Sequence, residues 1–142
     1  MIDAELVTRK IVLITRDLTA LEPIARLGQP GFLADPTNEA LAERYLERMI
    51  GRMIDINYHL ITETGNPPPA DYYGSFTELG RVGALDPETA QRLASSAGLR
   101  NRIVHEYDEL DPKRIFEAVQ ASLRDIPEYL RQVNAFVSRS ST

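Results

Sequence analysis

Helical periodicity runs through nearly the whole chain and leaves no stretch for a sheet. Val7, Ile11, Ile14, Leu18, Leu21 and Ala25 recur at alternating four- and three-residue steps, which puts them on one face of a first helix. Pro23 is expected to bend its end, and Gly28 to Gly31 to close it. Asp35-Pro36 is a start signal, because Asp caps free amides and Pro suits the first turn. Leu46, Met49, Met53, Ile56 and Leu60 then mark a long stripe that Gly65-Asn66-Pro67-Pro68-Pro69 stops. Ser75-Phe76-Thr77-Glu78 has the pattern of a capping box, opening a short helix to about Val82. Asp86-Pro87-Glu88 starts another, expected to run to roughly Tyr107. Asp111-Pro112 starts the last, with Ile115, Val119, Ile126, Leu130, Val133 and Val137 on its inner side and a kink expected at Pro127. No segment alternates convincingly with a period of two. The expectation is an all-α, antiparallel bundle of four principal helices plus one short helix, a single domain over residues 1–142.

Composition narrows the chemistry. The absence of cysteine excludes disulfides, thiolate nucleophiles and cysteine metal sites. The opening Met-Ile-Asp-Ala-Glu-Leu carries acids where a secretory signal carries bases, and no apolar run reaches the roughly 18 residues of a membrane span. A cytoplasmic protein without membrane contact is the expectation. A net charge of −5 argues against a chain that coats nucleic acid, so any phosphate chemistry must rest on a local arginine cluster.

The segment from Leu99 to Tyr107 has the composition of a site. At about 100° per residue, Leu93, Ala97, Arg100, Val104 and Tyr107 share a narrow stripe. Arg100 thus stands among apolar residues, where an unpaired guanidinium is costly. Either a core carboxylate satisfies it, or the stripe lines a cleft or a subunit interface. His105 projects about 140° away from Arg100, on the side of Asn101 and Gly98. The two side chains converge only if the helix distorts or ends near His105, or if two copies of the segment meet across a twofold axis. A lone histidine is more often structural than catalytic. Asp55 and His59, at i and i+4 near Arg48 and Arg52, have the spacing of a metal pair. No third ligand is evident, and a charged outer face accounts for them. Pro67 to Ser75, with its two tyrosines, reads as a structured turn that could touch a partner or RNA.

Arg100, four residues, His105, one residue and Tyr107 resemble the R-x4-H-x-Y signature of HepT-like toxins of the HEPN ribonuclease superfamily. Asn101 fills the polar slot that often follows the arginine. The likeness extends to the Glu47-to-Leu60 helix, the Pro-rich turn, Tyr72-Tyr73-Gly74-Ser75-Phe76, Leu79 and the Ala97-Gly98-Leu99 lead-in.

This resemblance implies metal-independent endonucleolytic RNA cleavage with no cofactor, in which the 2′-hydroxyl of RNA is the nucleophile. His105 would move protons, Arg100 would grip the phosphate and stabilise its growing charge, and Asn101 would orient one of them. Arg102, Lys113 and Arg114, with Arg92 nearby, would supply local positive potential for RNA, although each by itself reads more readily as solvated surface. It further implies a homodimer, or a larger hetero-oligomer, silenced by a minimal nucleotidyltransferase antitoxin of the MntA kind that transfers AMP to Tyr107. By ideal-helix geometry Tyr107 projects about 20° from Arg100, two turns on, so an attached nucleotide would fill the same cleft. A non-catalytic helical module that holds a nucleotide or a nucleotidyltransferase is the alternative reading.

Overall fold

The computed structural model describes residues 1–105 and 110–140. Among them there are only helices: α1 (Ala4–Arg26), α2 (Gly28–Leu33), α3 (Pro36–Glu63), α4 (Tyr72–Arg81), α5 (Pro87–Ala94), α6 (Ser96–His105) and α7 (Pro112–Ser140). The three long helices follow the apolar stripes. Leu46, Met49, Met53, Ile56 and Leu60 are all fully buried, and so are Val7, Ile14 and Leu21, while Ile11 and Leu18 flank the core of α1. Burying each such side chain stabilises the fold by roughly 1.5–3 kcal/mol.

Side-chain contacts set the direction of each helix. Asp3 meets His59, Lys10 meets Asp55 and Asp17 meets Arg48 and Arg52, so α1 runs antiparallel to α3. The helices α4, α5 and α6 return the chain, and α7 then lies along α3, with Tyr129 reaching Met53 and Asn57. Asp86 and Gln132 exchange two hydrogen bonds of 2.7 Å, one through the Asp86 amide and one through its carboxylate. That exchange locks the start of α5 to α7.

The Asp-Pro starts hold. Asp35 accepts from the Thr37 amide and Asp86 from the Thr89 amide, each with proline next in the chain, and Asp111 accepts from the Lys113 amide. Pro23 and Pro127 lie inside helices that continue past them.

Three boundaries differ from the sequence reading. Gly28 to Gly31 does not simply close α1 but begins a further short helix, α2, which sends Phe32 into the core against Phe116. The short helix starts at Tyr72 and not at Ser75, because Asp71 takes the Gly74 amide at 2.6 Å. The approach is close: a Cβ on Gly74 would sit 2.9 Å from the Asp71 carboxylate, which would have to shift. The helix opened by Asp86-Pro87 is broken at Ser95. There the Ser95 and Ser96 hydroxyls donate to the carbonyls of Arg92 and Leu93, competing with the continuing helical ladder.

Polar groups inside the bundle form two arrangements. Asp17, 3% exposed, receives Arg52 at 3.0 Å and Arg48 at 3.2 Å and ties α1 to α3. Deeper, a one-way chain of hydrogen bonds crosses from α7 to α4. The Tyr129 hydroxyl donates to Asn57 Oδ1 at 2.6 Å, with the Met53 carbonyl also in reach. Asn57 Nδ2 donates to Ser75 Oγ at 3.1 Å, and Ser75 Oγ donates to the Tyr72 carbonyl at 2.7 Å. Burial pushes the Tyr129 phenol far above its ordinary range, so it remains a donor. Tyr129→Phe deletes the head of this chain and leaves a buried Asn57 acceptor unmet. It should lower stability by about 1–3 kcal/mol, read as a lower urea midpoint at unchanged m-value.

Candidate active site

The break at Ser95 makes α6 a separate ten-residue helix that packs on α3, α4 and α5. Ala97 is its buried anchor, and Leu99 and Ile103 lean on the core beside it. The next position on that inner side is Arg100, which is half-buried.

No carboxylate pairs with Arg100 among the described residues. Its guanidinium carbon lies 5.5 Å from the centroid of the Tyr72 ring, over the ring face. Within this distance a cation gains from the negative face of the π-system. Its only hydrogen-bond partner there is the neighbouring Asn101 Oδ1, at a long 3.5 Å, and Arg100 Nε is buried without any partner. Tyr72 in turn meets the edge of Tyr58 on α3, with ring centroids 6.1 Å apart at 85°. Burial raises the Tyr58 phenol, with Tyr72 and Asp71 adding to the rise, so the Tyr58 hydroxyl stays neutral.

Asn101 and His105 are exposed on the same helix. Arg100, Asn101 and His105 are therefore held on one short element, with the arginine turned inward and the histidine outward. Tyr107 lies outside the described residues.

The remaining basic residues divide. Arg102 projects about 200° from Arg100 around α6, onto the other side of the helix. There it lines a cavity of about 330 Å³ between α5, α6 and α7, together with Arg114, Leu99, Ala118 and the buried Asp125. Arg92 is drawn into ion pairs with Glu88 and Asp125, and Asp125 also holds Arg124. Lys113 is exposed in the first turn of α7. Arg102 and Arg114 thus come together, but not beside Arg100. Asp55 and His59 face α1: Asp55 binds Lys10 at 3.0 Å, and His59 Nε2 accepts the Asp3 amide at 2.8 Å. These are interhelix contacts. No group of three metal-ligating side chains is found among the described residues.

The residues missing from the sequence reading are Asn57 and Tyr58, and the part Tyr72 plays as the seat of Arg100. Asn57 carried a signal, since it is a polar residue at a stripe position, four residues after Met53. Nothing in a linear pattern joins Tyr72 to Arg100, 28 positions apart in sequence.

Among the described residues, the bundle thus presents Arg100 without a carboxylate partner and an exposed His105 on one short helix. The model of the family described as ribonuclease HepT-like matches residues 14–133. A tRNA nuclease HepT of Aphanizomenon flos-aquae (strain 2012/KM1/D3) is 33% identical over 136 residues, covering 96% of this chain and 92% of that one. An mRNA nuclease HepT of Shewanella oneidensis is 26% identical over 131 residues, covering 92% of this chain and 98% of that one. The solved structure of a tri-AMPylated Shewanella oneidensis HEPN toxin in complex with an MNT antitoxin matches at a TM-score of 0.83 and 27% identity, covering 95% of this chain and 99% of that one. The chain belongs to the HepT-like ribonuclease family. No helix among the described residues is long and apolar enough to cross a membrane.

Exposure separates the site's polar members from the fold. Asn101→Ala and His105→Ala remove side chains that support no core contact, so each should change stability by no more than about 0.5 kcal/mol. Thermal melts followed by circular dichroism check this.

Proposed function

We propose that this chain is an endoribonuclease toxin in which Arg100, Asn101 and His105 cleave RNA without a metal. The observation that carries the reading is Arg100 itself: a half-buried guanidinium with no carboxylate partner among the described residues and an unpaired Nε. Such a group is stable where an anion visits it, and an RNA phosphate is an anion of the right shape for its fork.

The chemistry follows from what RNA brings. The 2′-hydroxyl loses a proton and its oxygen bonds to phosphorus, while the bond from phosphorus to the 5′-oxygen breaks and that oxygen takes up a proton. The products are a 2′,3′-cyclic phosphate and a 5′-hydroxyl. One group must accept a proton and another must donate one, on opposite sides of the phosphate. A single His105 supplies one of these. Two copies of α6 facing each other across a twofold axis supply both, and bring the outward His105 of one copy to the Arg100 of the other. The reading is therefore a homodimer, each copy a single domain over residues 1–142. Asn101, next to Arg100, would orient the phosphate. Arg102, Lys113 and Arg114 would attract the flanking strand, from the far side of α6.

Control is proposed to fall on Tyr107, as the acceptor of AMP from a minimal nucleotidyltransferase antitoxin, within a cytoplasmic complex of the two proteins. The similar Shewanella oneidensis toxin, tri-AMPylated and in complex with an MNT antitoxin, supports this reading. Each added unit would offer Arg100 a tethered phosphate at an effective concentration of about millimolar or more, ahead of free RNA.

His105→Ala should lower RNA cleavage by about 10²–10⁴-fold while leaving the fold intact, and EDTA should leave wild-type cleavage unchanged. A dependence on divalent ions, or normal cleavage by the alanine variant, overturns the mechanism and favours a non-catalytic binding module. Tyr107→Phe should stay toxic and escape silencing. Intact mass spectra of the wild type incubated with antitoxin and ATP should show added AMP on the peptide containing Tyr107. Full neutralisation of the phenylalanine variant by AMP transfer would remove Tyr107 from that role and leave Arg100 and His105 standing.

A further inference from the structure

We propose that Tyr72 is a positioning residue of the active site: its ring is the platform that holds the Arg100 guanidinium so that its N–H edge faces the RNA phosphate. The inference rests on the ribonuclease reading of Arg100 and adds to it the group that aims the arginine.

A half-buried guanidinium needs compensation for the water it has lost. A carboxylate would give it, but would occupy the same N–H groups that a phosphate must take. An aromatic face compensates the charge from above the plane and leaves the edge donors vacant. Among the described residues, Arg100 has this second arrangement. Its guanidinium lies over the Tyr72 ring at 5.5 Å with Nε buried, and among the described residues the outer Nη groups make only the long 3.5 Å contact to Asn101 Oδ1, which leaves them for a phosphate.

The platform is itself fixed. Tyr72 is the first residue of α4, placed by the Asp71 cap. Its carbonyl receives Ser75 Oγ, which ends the buried chain from Asn57 and Tyr129. The edge of Tyr58 holds the ring from the side. No hydrogen bond involves the Tyr72 hydroxyl among the described residues, and the residue is 39% exposed. The ring, not the phenol group, does the positioning, and replacing it does not open the core.

The test uses the full chain in three forms, wild type, Tyr72→Leu and Tyr72→Phe, with Arg100→Ala as reference. Cleavage is followed on 5′-labelled RNA, bulk tRNA first and an mRNA transcript second. Tyr72→Leu should lower kcat by about 3- to 30-fold with KM within about twofold, the range set by cation–π strength, and Tyr72→Phe should keep wild-type kcat. The Nε–Hε cross-peak of Arg100, assigned by its loss in Arg100→Lys, should lie at the upfield position a ring face imposes. It should move downfield in Tyr72→Leu and stay in Tyr72→Phe. Normal kcat in Tyr72→Leu, an equal loss in both variants, or a cross-peak indifferent to the ring would each overturn the proposal. If Arg100→Ala cleaves as well as wild type, or no RNA is cleaved at all, the ribonuclease reading of Arg100 fails and this role of Tyr72 fails with it, whatever the cross-peak shows.

Discussion

The chain of hydrogen bonds from Tyr129 through Asn57 and Ser75 to the Tyr72 carbonyl is the constraint on which the other features depend. Apolar packing alone tolerates small slides of one helix along another, because many arrangements bury similar area. A buried polar chain does not, since each unmet member costs the full desolvation of that group. Every donor here has an acceptor, and the four groups belong to α7, α3 and α4. The chain therefore sets how far along α3 the other two helices sit. It also fixes where α4 begins, and so where an aromatic ring can stand beside α6.

The bundle was legible in the sequence because its rules are local or periodic. Stripe residues such as Leu46, Met53 and Ile14 are buried as their spacing implied, and aspartate caps begin α3 and α5 where Asp-Pro occurs. The misplaced boundaries share a cause. At Ser75 and at Ser95 a serine hydroxyl has two plausible partners, and the one chosen depends on neighbours that a pattern does not display. Asp71 had already capped α4, which left Ser75 free to bond within its first turn. At Ser95 and Ser96 the hydroxyls turned back on the preceding carbonyls and divided a helix that apolar spacing carried straight through.

The site was legible in a different way. Spacing identified Arg100 as a cation among apolar residues that needed an explanation, and a family likeness attached chemistry to it. Its compensation by an aromatic ring could not be read, because that contact joins two helices with the turn at Gly83 and all of α5 between them. Charge was also redistributed in ways composition conceals. Asp17 engages Arg48 and Arg52, and Asp125 engages Arg92 and Arg124, so two buried carboxylates hold these four arginines within the protein. An acidic total is therefore compatible with a site whose own arginine meets no carboxylate among the described residues.

The break at Ser95 has a mechanical consequence. A continuous helix from Pro87 onward would act as a lever, carrying any shift of its start, clamped to α7 through Asp86 and Gln132, directly to the arginine. A joint after two turns interrupts that transmission. The bearing of α6 is then set by the surfaces it rests on, α3 above all, with α4 and α5 beside it, and not by a continuous strut behind it. Sequence drift along α5 and the outer face of α7 can accumulate with little effect on aim, while a change of shape beneath α6 re-aims the site at once. The joint divides the molecule into a frame free to vary and a mount that is not.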